Sequence, residues 1–136
     1  MKTLLRFALA PTLVLLAADK AKAPEPSYDI ATVINIAATV TEVREVSRDN
    51  PLAGLHLTVQ FESQALDVYV GPSEFVKVFD VTFVKGDSIR VIGSKVDLEG
   101  SAVVLAREVT LGPVTLLCRD KDGSPLWKYF IKPPQG

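Results

Sequence analysis

The stretch Leu55-His56-Leu57-Thr58-Val59-Gln60-Phe61-Glu62 decides the fold. Apolar and polar residues alternate at every step. A period of two places Leu55, Leu57, Val59 and Phe61 on one face of a strand. His56, Thr58, Gln60 and Glu62 then lie on the other. The pattern resumes after a tight connection at Ser63-Gln64, with Leu66, Val68 and Val70 inward and Asp67 and Tyr69 outward. Two such runs in succession predict an antiparallel pair with one buried face.

The same period extends in both directions. Upstream, Ile34, Ile36, Ala38 and Val40 share a face, and the phase then slips to Val43 and Val46. That slip predicts a β-bulge near Thr41-Glu42 in a long, bent first strand. Arg48-Asp49-Asn50-Pro51 reads as the turn between strands one and two. Downstream, Gly71-Pro72 ends the third strand, and Ser73 to Phe79 predicts a short helix with Ser73 as N-cap. Its Phe75 and Phe79 are four apart, suited to plugging a barrel end. A fourth strand carries Ile89, Val91, Val96 and Leu98 and bends at Gly93. Glu99-Gly100 turns into a fifth, with Val103, Leu105, Val109 and Leu111 on one face and Arg107 interrupting it. The interruption marks either a barrel mouth or a bulge. A sixth short strand spans 114–119, and Asp120 to Gly123 is a turn. An aromatic, Pro-rich tail follows, with Trp127, Tyr129 and Phe130.

Strand, strand, strand, short helix, strand, strand predicts an all-β chain: a small five- to six-stranded barrel with one helix between strands three and four. The segments Val70-Gly71-Pro72 through Gly86-Asp87-Ser88-Ile89-Arg90-Val91-Ile92-Gly93, and Ala106-Arg107-Glu108-Val109, look like the corresponding stretches of OB-folds. Over most of residues 34–119 the chain resembles small exported bacterial OB-fold proteins of unassigned function. The resemblance implies an OB-like Greek-key barrel that binds on the outer face of strands two and three. That face would present His56, Thr58, Gln60, Asp67 and Tyr69 as ligand-binding residues. Tyr69 would supply a stacking ring for a sugar, a peptide or a base. Trp127 and Tyr129 would form a partner-docking patch, or else a tail packed over the barrel.

The N-terminus reads as an address. Lys2 and Arg6 precede an apolar run from Phe7 to Ala18, and Ala21-Lys22-Ala23 supplies small residues at −3 and −1. This is the pattern of a secretory signal peptide, with a retained anchor as the alternative. The run is short for a membrane span, so none is expected after cleavage. The expected organisation is signal peptide 1–23, extended leader 24–33, barrel 34–119 and tail 120–136. The expected location is periplasmic or secreted.

Charge and composition narrow the function. Of 15 basic and 16 acidic residues in the chain, 11 and 15 lie beyond Ala23, leaving a net charge of −4. A net-acidic domain is a poor phosphate binder, so nucleic acid is the alternative ligand rather than the leading one. Arg44, Arg90, Lys95, Arg107 and Arg119 would form a basic stripe only if they escape pairing with Glu42, Glu45, Glu108 and Asp120. Cys118 is the one cysteine, expected buried as a small hydrophobe. His56 is the one histidine, so the usual His/Cys metal spacings are absent and no metal or cofactor is expected. Exported OB-folds that carry haem attach it through a C-terminal histidine, and none follows His56. With no nucleophile–base–orienter set in view, the expectation is a non-enzymatic module that binds an envelope protein or a small ligand.

Overall fold

The computed structural model describes residues 25–130. The expected signal peptide, Pro24 and the last six residues of the tail lie outside the described residues. Six strands and one α-helix are described: β1 (Val33–Val46), β2 (Gly54–Phe61), β3 (Gln64–Gly71), α1 (Ser73–Val78), β4 (Ser88–Leu98), β5 (Ser101–Leu111) and β6 (Val114–Leu117). Short 3-10 turns, Ile30–Thr32 and Leu126–Tyr129, flank them. The leader is therefore not wholly extended. Asp29 accepts from the Ala31 amide to cap the first of these turns.

The strands run in the order β3-β2-β1-β4-β5-β6. Every neighbouring pair is antiparallel. A further parallel pairing of β3 with β5, through Asp67–Val103, Val68–Val104 and Tyr69–Leu105, closes the first five strands into a barrel. The sixth adds along β5. With its helix between β3 and β4, this is the all-β, five- to six-stranded barrel that the sequence pattern predicts.

Closing so small a barrel requires sharp coiling, and extra residues supply it. Thr41 is one: Val40 pairs with Val59 and Glu42 with Thr58, and the Thr41 hydroxyl donates to the Thr58 carbonyl at 3.1 Å. Arg107 is another, because Ile92 pairs with Glu108 while Gly93 pairs with Ala106. Its carbonyl instead accepts from the amides of Cys118 at 2.8 Å and Arg119 at 3.2 Å. This bulge corrects the predicted fifth strand. Val103 and Leu105 do not share a face with Val109. Val104, Ala106 and Val109 enter the barrel core, whereas Val103 and Leu105 join a second cluster outside it.

The interior is filled by the predicted alternation. Val40, Leu57, Val59, Val68, Val70, Phe75, Val91 and Val104 are all buried in one core. Burying each such side chain contributes about 1.5–3 kcal/mol. Of the two phenylalanines expected to plug the barrel, Phe75 enters the core while Phe79 is 40% exposed, and the helix begins differently: Pro72 is the N-cap and Ser73 is already helical. At Gly93 the strands approach so closely that a Cβ would collide with the Leu105 carbonyl oxygen and stand 2.9 Å from Ala106 Cα. Gly93→Ala is predicted to lower stability by about 2 kcal/mol, an overpacking cost. A urea midpoint lowered at unchanged slope is the expected result.

Candidate functional site

The outer face of β2 and β3 is not an open platform. His56 and Tyr69 point away from the barrel core as predicted, but both are only 4% exposed. The turn before β2 folds over them. His56 Nε2 lies 2.6 Å from the Leu52 carbonyl, which can only accept, so Nε2 carries the donated proton. His56 Nδ1 lies 2.9 Å from Asp67 Oδ1, and Arg44 donates to that same oxygen at 2.9 Å. The Tyr69 hydroxyl donates to the Ala53 carbonyl at 3.0 Å. Burial pushes its pKa well above the usual phenol range, with the neighbouring Glu25 charge adding to the rise. Leu52, Val103 and Leu105 complete the layer above it. The expectation that Tyr69 offers a free stacking ring is therefore corrected: the ring is used in packing.

The remaining residues of that face stay nearer to water. Thr58 and Asp67 are half-buried cross-strand partners, and Gln60 is exposed, its amide donating to the Glu62 carbonyl. The five residues thus divide into buried His56 and Tyr69, a half-buried Asp67 bonded to His56, and a polar rim, Thr58 and Gln60. The basic stripe does not form either. Arg44 pairs with Asp67 and Glu42, Arg107 with Glu108, Arg90 binds the Asn35 side chain, and Arg119 is buried.

The tail is split as well. Trp127 is half-buried and meets Tyr69 and Phe75 edge-on, with ring centroids 6.0 and 5.7 Å away. It sits against Gly71, where a Cβ would lie 3.0 Å from the indole and the φ of +148° disfavours a side chain. Trp127 is thus part of the body rather than an open docking group. Tyr129 is 73% exposed. The sole cysteine is fully buried, and burial pushes its thiol up to about 12.

An open groove lies elsewhere, where the end of β1 faces α1. It encloses about 770 Å³. Glu45 and Arg48 line it from the end of β1 and the turn beyond, and Glu74 and Lys77 line it from α1. Ser73 donates to Glu45 Oε1 and ties the two walls together. A second hollow of about 190 Å³ shares Glu45, Ser73 and Lys77 and adds apolar Val43, Leu55, Val76 and Val81. Together they form a trough with charges of both signs on its rim and an aliphatic stretch along its length. Such a surface suits an extended segment carrying both charges and an apolar side chain. None of these rim residues was singled out as a binding residue from the sequence. The available signal was charge at the end of β1, Glu45 to Arg48, and within the short helix, Glu74 and Lys77.

Fold and groove together define a small closed β-barrel with a packed interior and an open, mixed-charge trough on its outside. Residues 32–116 match the model of the MamS/MamX magnetosome protein family, and the chain belongs to that family. The curated proteins contain no match to it.

His56 and the tail each generate a prediction. His56→Ala removes both ring contacts and strands the buried Leu52 carbonyl, so stability should fall by about 2 kcal/mol in urea unfolding. Asp120 holds the turn that leads to Trp127. The Ser124 amide, with help from those of Asp122 and Gly123, keeps its carboxyl below the ordinary value of 3.8. A lowered carboxyl stabilises the fold above its unfolded pKa and loses that effect as pH falls through the folded value. Trp127 is the only tryptophan, so its emission should shift in the native chain only as pH falls below 3.8. Asp120→Ala should show the shifted emission already at neutral pH.

Proposed function

We propose that this protein is an exported, magnetosome-associated binding module of OB-fold type, without enzymatic activity, which holds a partner protein in the trough between β1 and α1. The observation that carries the reading is the open 770 Å³ groove on a barrel whose interior and strand-two face are already filled. The family's description supports the magnetosome association. The basic–apolar–small pattern of residues 1–23 supports export to a compartment beyond the cytoplasm. Recognition would rest on Lys77 reading acidic groups, Glu74 and Glu45 reading basic ones, and Leu55 and Val81 receiving an apolar side chain. Rim charges of this kind act mainly on encounter and orientation.

Lys77→Glu tests the reading. Lys77 is exposed on α1, so the exchange should leave the far-ultraviolet spectrum and the melting temperature unchanged. Recovery of the variant in isolated magnetosomes, measured by immunoblot against the native chain, should fall at least threefold. Equal recovery of the two chains would refute the trough as the docking surface, and recovery of neither would refute the magnetosome association.

A further inference from the structure

Arg119 is 6% exposed, in the layer where the leader and the tail cross the barrel. Its guanidinium lies 5.0 Å from the Trp127 ring and 5.9 Å from the Tyr28 ring. Only one edge is satisfied: Nη1 donates to the Gly123 carbonyl at 2.9 Å. Among the described residues, Nε and Nη2 are buried without a hydrogen-bond partner, and so is the Tyr28 hydroxyl. A buried cation that makes a single hydrogen bond is costly, and buried polar atoms are nearly always paired.

The identity of the two unpaired nitrogens is informative. Nε–H and Nη2–H point in parallel along one side of the guanidinium. That side forms the two-pronged fork that takes both oxygens of a carboxylate. Aromatic rings near the guanidinium favour its charge without using any of its donors. The nearest carboxylate by its electrostatic effect is Glu25, which is exposed and makes no hydrogen bond to the fork. Residues 25–32 form a strap over this region. The Asp29 amide donates to Ser94 Oγ at 2.9 Å, and Tyr28 packs against Gly123.

We infer that the Nε–Nη2 edge of Arg119, with the Tyr28 ring 5.9 Å from the guanidinium, is a receptor for one carboxylate, covered by the 25–29 strap. The ligand is a small organic carboxylate or a carboxylate side chain of an acidic peptide. Entry requires the strap to lift at Tyr28 while Asp29 stays tied to Ser94. Arg119 and Tyr28 share no residue with the trough and lie outside the residues matched to the family.

Trp127 reports on the site, being the sole tryptophan and adjacent to the guanidinium. The experiment titrates the full mature chain with sodium acetate, and separately with a short Glu-rich peptide, at constant ionic strength set by sodium chloride. Saturable change in Trp127 emission is expected with at least one carboxylate and not with chloride alone. Arg119→Lys keeps the charge but lacks the fork, and should weaken that response at least tenfold. Tyr28→Phe keeps the ring in the strap, leaves folding intact and should weaken it several-fold. Saturation by acetate assigns the site to small carboxylates, and saturation by the peptide alone assigns it to an acidic segment. No saturable response to either, or an undiminished response in Tyr28→Phe and Arg119→Lys, would overturn the assignment.

Discussion

Everything in this molecule depends on three residue pairs. Asp67–Val103, Val68–Val104 and Tyr69–Leu105 join β3 to β5 in parallel and convert a sheet into a barrel. Without them β3 would be an open edge and the core would be half exposed. The closure constrains both partners. β5 must bring Val104 inward against Val68 and still present Val109 inward further on, and only the extra residue at Arg107 reconciles these demands. The same closure presses Tyr69 and Leu105 together on the outside, where they nucleate the second apolar layer. That layer seats Leu52, Tyr28 and Trp127. One short parallel pairing therefore shapes the core, the bulge and the covered face.

The barrel was legible in the sequence because period-two patterning reports directly on one buried face. Leu57, Val68 and Val91 are each wholly buried, and the slips at Thr41 and Gly93 fall where the apolar phase breaks. The covered face was not legible. Alternation says only that His56 and Tyr69 point away from the core. It carries no information on whether a distant segment returns to cover them. The covering groups come from Leu52 and Ala53, from Tyr28 and from Trp127, each separated from the face by a turn or by the whole barrel. The trough was hidden for the same reason. Glu45 and Lys77 are ordinary surface charges until β1 and α1 meet.

The covered face has a functional meaning. OB-folds usually take a ligand on the outer surface of strands two and three. Here His56 and Tyr69 on that surface are covered by the chain's own groups, and the 770 Å³ groove lies instead against the helix. The polar groups trapped in the filled face are mostly satisfied: His56, Asp67 and Tyr69 all find partners. Among the described residues the exceptions are the Tyr28 hydroxyl and Arg119, the latter held among rings with a donor edge unused. An affinity left over in a surface that otherwise seals itself is a plain reason to look there as well as in the trough.

The sealed sulfur of Cys118 has a consequence for how the chain meets oxidants. A lone thiol on the outside would invite cross-linking between copies. Enclosed behind β5 and β6 and kept protonated, this one is withheld from exchange chemistry for as long as the wall stays shut. The rate at which a thiol reagent labels it then measures how often the wall parts, which makes the molecule a gauge of its own breathing.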